Sequence, residues 1–241
     1  MTQPRLLAFI AVAALTTALW SPGRAVAADA DASYARRVTV IARRLHEMPG
    51  APYAPDEKVV ALTFDDAPGP NTAPVLDALA TCGAPATFFV VGEHVERHAE
   101  LMARIVDEGH AVGNHSWTHT RLEELDNQTL LDEFSRTGAL ANEYTHAPVH
   151  QARPPFAMTQ ASRLAALLEP LGYSAVVGWS VDPRDWEGHD AMTITETVVQ
   201  QLQPGAIVLL HAGHGEGRST AAAVRHTVQA GRLLGYRFVT L

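Results

Sequence analysis

Asp65 and Asp66 stand side by side after an apolar run, residues 59–64, and are followed by Ala67-Pro68-Gly69-Pro70. Adjacent carboxylates repel one another unless a proton or a cation relieves them, so the pair suits proton transfer or metal binding. The plainer alternative is one helix N-cap for a segment starting near Thr72 and one solvated acid. His115 and His119 lie four apart in Asn114-His115-Ser116-Trp117-Thr118-His119, a spacing at which two imidazoles can address one ion. In a chain with 12 histidines such a pair also arises by chance. Joined to Asp66, it becomes a two-His, one-carboxylate set that leaves coordination positions open for water and substrate, as a catalytic metal site requires. Imidazole with carboxylate suits zinc, cobalt, nickel and iron, and Zn2+ is the default expectation, with Co2+ and Ni2+ as alternatives.

Three further stretches carry chemistry. Arg153-Pro154-Pro155-Phe156 offers a guanidinium that would hold a nearby carboxylate ionised and oriented. Trp179-Ser180-Val181-Asp182-Pro183-Arg184-Asp185-Trp186 combines acids with large aromatic faces, and Trp186 either packs or, in a cleft, stacks on a sugar ring. His211 ends the apolar run 206–210. Alone it reads as a satisfied core histidine.

The elements that must position these groups alternate along the chain. Apolar strand-like runs fall at 59–64, 86–91, 111–114, 151–156, 174–180, 206–210 and 236–241. Between them lie helical patterns at 72–82, 94–108, 128–144, 159–171, 191–201 and 219–234, several closed by a glycine (Gly83, Gly109, Gly172, Gly235) as left-handed caps require. Strands that are apolar throughout belong to a sheet covered on both faces. The expected fold is therefore a single α/β domain, a deformed (β/α) barrel of about seven parallel strands, with its chemistry where strands end and loops begin. The polar residues named above fall at those ends.

Ahead of this pattern, Arg5, an apolar run over 6–20, and Ala25-Val26-Ala27 give the three parts of a secretory signal over residues 1–27. The run is too short to span a bilayer, so no membrane anchor is expected after cleavage. Residues 28–57 read as a leader, with a short helix over 33–47, and residues 58–241 as the domain. The chain has 241 residues, 47% hydrophobic and 18% charged, an ordinary globular composition for one domain. Its net charge of −8, more negative once the signal's arginines are gone, disfavours nucleic acid and suits a neutral polymer. Cys82 is the single cysteine, so the fold stands without an internal disulfide. The expected product is exported; a monomer is the working assumption.

Taken in order, TFDDAPGP, HSWTH, RPPF, DPRDW and LLH resemble the polysaccharide deacetylases of the NodB-homology type, carbohydrate esterase family 4, over residues 59–241. The resemblance implies Asp65 as general base, with Asp66, His115 and His119 as metal ligands. It makes Arg153 the brace of Asp65 and His211 the general acid, tuned by Asp182. It also places the Phe156 N–H at the oxyanion, with Trp186 and Leu209 receiving the acetyl methyl. The substrate it implies is an acetylated polysaccharide or oligosaccharide, most simply N-acetylglucosamine units of a chitin-like or peptidoglycan polymer. An O-acetyl esterase acting on xylan would use the same groups; an inactive sugar-binding barrel would lack one of them, and a structural-metal protein would close the site. Two departures stand out. Ala67 replaces the usual Gly, which would be strained if that position needs positive φ, and Ala212 replaces a frequent Asp.

Overall fold

The computed structural model describes residues 40–156, 158–213 and 218–241. The expected export signal and the first part of the expected leader lie outside them.

One sheet organises the domain. Its strands are β1 (Val40–Ala42), β2 (Val59–Ala67), β3 (Thr87–Val90), β4 (Ala111–Asn114), β5 (Gln151–Ala152), β6 (Ala175–Val177) and β7 (Ala206–His211), in the spatial order β1-β6-β5-β4-β3-β2-β7. All neighbours run parallel, and a two-residue β8 (Arg237–Phe238) adds to β2. A parallel bridge from Val181 to Val208 brings the segment after β6 back to β7, so the sheet curls into the expected deformed barrel. Seven helices accompany it: α1 (Thr72–Cys82), α2 (Gly92–Arg97), α3 (Ala99–Asp107), α4 (Asn127–Thr145), α5 (Ala161–Leu168), α6 (Ala191–Gln201) and α7 (Arg218–Leu233) among the described residues.

Strand β2 shows why the sequence folds this way. Every residue in it is buried. Val60, Leu62 and Phe64 join Leu76, Leu79, Val224 and Val228 of α1 and α7 in the outer core, whereas Val59 and Ala61 join Phe89, Val177 and Ile207 inside the curl. That division is the period of two in a pleated strand, with both faces covered. Asp126 and Asp190 cap α4 and α6 by accepting from Thr129 N and Thr193 N, each at 2.8 Å. Gly83, Gly109, Gly172 and Gly235 all take positive φ, as expected of helix-ending glycines.

The expected elements shift in two places. Residues 40–47 contain β1 and a 3-10 turn (Leu45–Glu47) rather than a helix, because β1 finds the open edge of β6. The helix expected over 94–108 is broken at His98, whose φ of −133° and ψ of 50° separate α2 from α3. Cys82 is half-buried against the outer core.

Candidate active site

By the alternation of β2, Asp65 follows Val59, Ala61 and Thr63 into the interior, and Asp66 should point the other way. It does not. The pairing of β2 with β3 slips between Phe64 and Ala67, and Asp66 takes a φ of 65°, so the bulge turns the second carboxylate toward the first. His94 Nδ1 lies 2.8 Å from the Asp66 carbonyl; a carbonyl only accepts, so Nδ1 carries the proton. Behind it, Gly213 leaves no room for a side chain, since a Cβ there would come within 2.2 Å of the Asp66 carbonyl oxygen. Neither His94 nor Gly213 lies in any of the motifs that the sequence marks for chemistry.

Arg153 is fully buried beside Asp65. Its Nη1 donates to Asp65 Oδ1 at 2.7 Å and to Thr63 Oγ1 at 2.9 Å, while Nε and Nη2 donate to the carbonyls of Val177 and Gly178. The guanidinium lies over the Phe89 ring at 4.1 Å. All three nitrogens are therefore committed, and Asp65 is held with Oδ2 turned toward the cleft floor.

His115 donates Nδ1–H to the Arg153 carbonyl at 2.8 Å, which leaves the Nε2 lone pair facing 3.5 Å from Asp66 Oδ1 and 3.6 Å from Asp65 Oδ2. His119 Nε2 stands 3.0 Å from Asp66 Oδ1. The Asp66, His115 and His119 ligand atoms lie within 4.8 Å of one another, and Asp66 Oδ1 is buried without hydrogen-bond geometry to any described residue. Converging lone pairs around an orphaned carboxylate oxygen fit a divalent cation, and the outward Nδ1–H bond of His115 is what a ligating imidazole needs. Burial opposes ionisation of Asp66 but the two imidazoles outweigh it and lower its pKa. Burial likewise opposes a charged His115, and the charges of Asp65 and Asp66 overcome it, raising its pKa.

The loop that presents these histidines is held from α4. Glu133 Oε2 accepts from the backbone N–H of Trp117 and Thr118 at 2.9 and 2.8 Å, and Asn114 Oδ1 accepts from Ser116 N. Ser116 and His119 both take positive φ, and the Ser116 hydroxyl accepts from His119 N. Strained residues gathered at one site are held by such surroundings. Glu133 was legible only as a charged residue in a helix.

His211 ends β7, paired in register with Asp65 of β2. Its carboxylate partner is Asp185, which corrects the expected pairing with Asp182. Asp185 Oδ1 lies 2.8 Å from His211 Nδ1, and Oδ2 accepts from His211 N at 3.0 Å and from the Thr220 hydroxyl at 2.9 Å. Asp182 instead accepts from Arg184 N at 2.9 Å, closing an Asx turn. Arg184 then takes a φ of 54° and the chain swings Asp185 into the interior. Burial disfavours the imidazolium, but the hydrogen bond and charge of Asp185, with the charges of Asp65 and Asp66, raise the His211 pKa to about 9.

Asp65, Asp66, His115, His119, Asp182, Asp185 and His211 all line one cleft of about 970 Å³. Leu209 is buried in its wall, while Trp186 is 60% exposed at the rim, with the Arg184 guanidinium 5.4 Å from its ring centre. Phe156 is 52% exposed at a φ of 65°, and its N–H donates to no described residue. Ala67 has no positive φ, so the strain expected there falls on Asp66 instead. Ala212 is fully buried, with its N–H donating to Asp65 O and its carbonyl accepting from Thr72 Oγ1.

Residues 53–176 match the family model described as polysaccharide deacetylase. The chain is 35% identical to the peptidoglycan-N-acetylglucosamine deacetylase PgdA of Listeria monocytogenes over 196 residues, covering 81% of this chain but 40% of that protein. It is 40% identical to the chitooligosaccharide deacetylase of a Bradyrhizobium strain over 181 residues, 73% of this chain and 81% of the relative. Among solved structures, the Bc1960 peptidoglycan N-acetylglucosamine deacetylase superposes with a TM-score of 0.73 at 32% identity, covering 78% of this chain and 88% of that one.

Proposed function

This chain belongs to the polysaccharide deacetylase family, and from that premise we propose that it hydrolyses the N-acetyl groups of N-acetylglucosamine units in a peptidoglycan-like or chitin-like polymer. Asp66, His115 and His119 would hold a divalent metal, with Zn2+ the first choice. The observation that carries the reading is the orphaned Asp66 oxygen between two imidazoles, in one cleft with Asp65 and His211. A bound dication there would polarise the acetyl carbonyl and lower the pKa of water.

The protein's own groups do the rest. Asp65, fixed by Arg153, takes a proton from the water that attacks the carbonyl carbon. The unpaired Phe156 N–H is available to the oxyanion. His211, kept protonated by Asp185, gives its proton to the departing nitrogen as the C–N bond breaks, releasing acetate and a free amine. Leu209 and Trp186 form the apolar wall for the acetyl methyl. The N-terminal signal pattern supports action outside the cytoplasm, where such polymers lie.

Acetate release should be measured from chito-oligosaccharides, peptidoglycan and acetyl-xylan by the metal-loaded protein. Release from the first two carries the reading, release from xylan alone makes it an O-acetyl esterase, and none from any makes it an inactive barrel. Asp65→Asn should abolish turnover with metal content intact; undiminished turnover would remove Asp65 from the role of base.

A further inference from the structure

The loop that brings His115 and His119 together leaves none of its amides idle. From 115 to 119 the N–H groups go in turn to the Val90 carbonyl, Asn114 Oδ1, Glu133 Oε2 twice, and the Ser116 hydroxyl. Helix α4 supplies the Glu133 anchor directly. The anchor of Ser116 is Asn114, a fully buried residue outside the cleft lining, and what orients Asn114 lies further back.

The Asn114 side chain uses both of its N–H groups as well as its oxygen. Nδ2 donates to the Phe134 carbonyl at 2.8 Å and to the Tyr173 hydroxyl at 2.6 Å, while Oδ1 accepts from Ser116 N at 3.0 Å. A carbonyl only accepts and a backbone N–H only donates, so these partners admit one orientation of the amide; flipped, it would set oxygen against oxygen. Rotation of an amide about its last torsion is otherwise soft. Tyr173 supplies the further point that fixes the plane. It is buried in one cluster with Phe134, and its hydroxyl donates to the Phe134 carbonyl at 3.3 Å. Burial pushes its pKa up to about 12, so the phenol keeps that proton.

Gly138 makes room for the hydroxyl. It stands inside the 19-residue α4, where glycine is a poorer helix former than alanine. A Cβ there would come within 2.8 Å of the Tyr173 hydroxyl oxygen, so the helix gives up a side chain where the hydroxyl enters. Hydrogen bonds then run from Tyr173 through Asn114 to Ser116 N, and from the Ser116 hydroxyl to His119 N. Ser116 and His119 have φ of 70° and 60°, a backbone conformation that persists only where its surroundings hold it.

We propose that Tyr173 is a positioning residue for the metal site: through Asn114 it fixes the turn at Ser116, and so the place from which His119 meets Asp66. This rests on the metal-ligand reading of Asp66, His115 and His119, and extends it to a residue outside the cleft lining.

The test uses the full chain stripped of metal and titrated with Co2+, whose visible absorption reports coordination geometry, and then with Zn2+. Wild type, Tyr173→Phe, Gly138→Ala and the double variant are compared, with Tm recorded for each metal-free protein. Tyr173→Phe should weaken metal binding about 10-fold, the lower end of the effect of losing a contact that orients a ligand, and alter the Co2+ spectrum. Gly138→Ala pushes the hydroxyl off its site and should give the same loss. In the double variant the methyl has room, so affinity stays at the Tyr173→Phe level while Tm recovers, alanine being the better helix former. A packing role alone would not separate affinity from stability in this way. Affinity and spectrum equal to wild type in Tyr173→Phe, or losses that track Tm across the four proteins, would overturn the proposal and leave the metal site standing. A wild type that takes up neither ion would sink the metal-site reading and the proposal with it.

Discussion

Asp185 holds His211 at two points, its Oδ1 2.8 Å from the ring Nδ1 and its Oδ2 3.0 Å from the backbone N. One carboxylate thus sets both the position of the residue and the charge of its ring. Asp185→Asn should lower kcat by about 10²–10⁴-fold, the usual range for losing an acid–base group. Asp182→Asn, which alters only a turn, should cost far less. Steady-state kinetics on the two variants decide between the acids, and equal losses would void the assignment.

Thr220 supplies a hydroxyl bond to the same carboxylate from the first turn of α7. Thr220→Val should reduce kcat with KM little changed, by up to about 10- to 150-fold for one lost hydrogen bond to a charged group, and Thr220→Ser should restore it.

The pH profile follows from the raised pKa of His211. As proton donor it must be charged, so activity falls as pH rises through its folded pKa, between the ordinary 6.5 and about 9. A dication offsets the contribution of Asp65 and Asp66 and draws the limb below the upper value. Asp185→Asn should shift it further toward acid. For stability the sign is the same: the Asp185–His211 contribution is complete below the unfolded imidazole pKa and lost as pH rises through the folded one. A basic limb unmoved in Asp185→Asn would contradict the pairing.

Chelation should abolish turnover, and added Zn2+ should restore it together with a higher Tm, because an ion bound only by the folded state stabilises it. Glu133→Gln and Gly213→Ala replace no ligand, yet each disturbs one: the loop of His115 and His119 in the first case, the Asp66 backbone and Cβ, against which a new methyl would press, in the second. Metal titration should show affinity reduced about 10–100-fold in both, the usual effect of losing a supporting contact. Unchanged affinity would confine these residues to packing.

Much of this was readable along the chain because it depends on local order. The strand runs, the bounds of α1 and α6, and the glycine caps follow from periodicity and from the backbone freedom of Gly. Asp65, Asp66, His115, His119, Arg153 and His211 could be named from residue type at strand ends. What failed was selection among similar neighbours. Asp182 and Asp185 are both acids in one loop, and the Asx turn decides which enters the interior. His94 and Glu133 look like helix-surface polar residues, since their partners are backbone groups of segments far along the chain.

The sequence by itself determined the inventory of chemical groups and the period-two burial of β2, which delivers Asp65 to the interior. Only the tertiary structure decided that Asp66 joins it. An ideal strand would send the two carboxylates to opposite faces. Asp66 takes a positive φ that turns both to one side, and it is held there by the slip against β3, the His94 hydrogen bond and the close approach of Gly213, contacts between segments that no local pattern encodes.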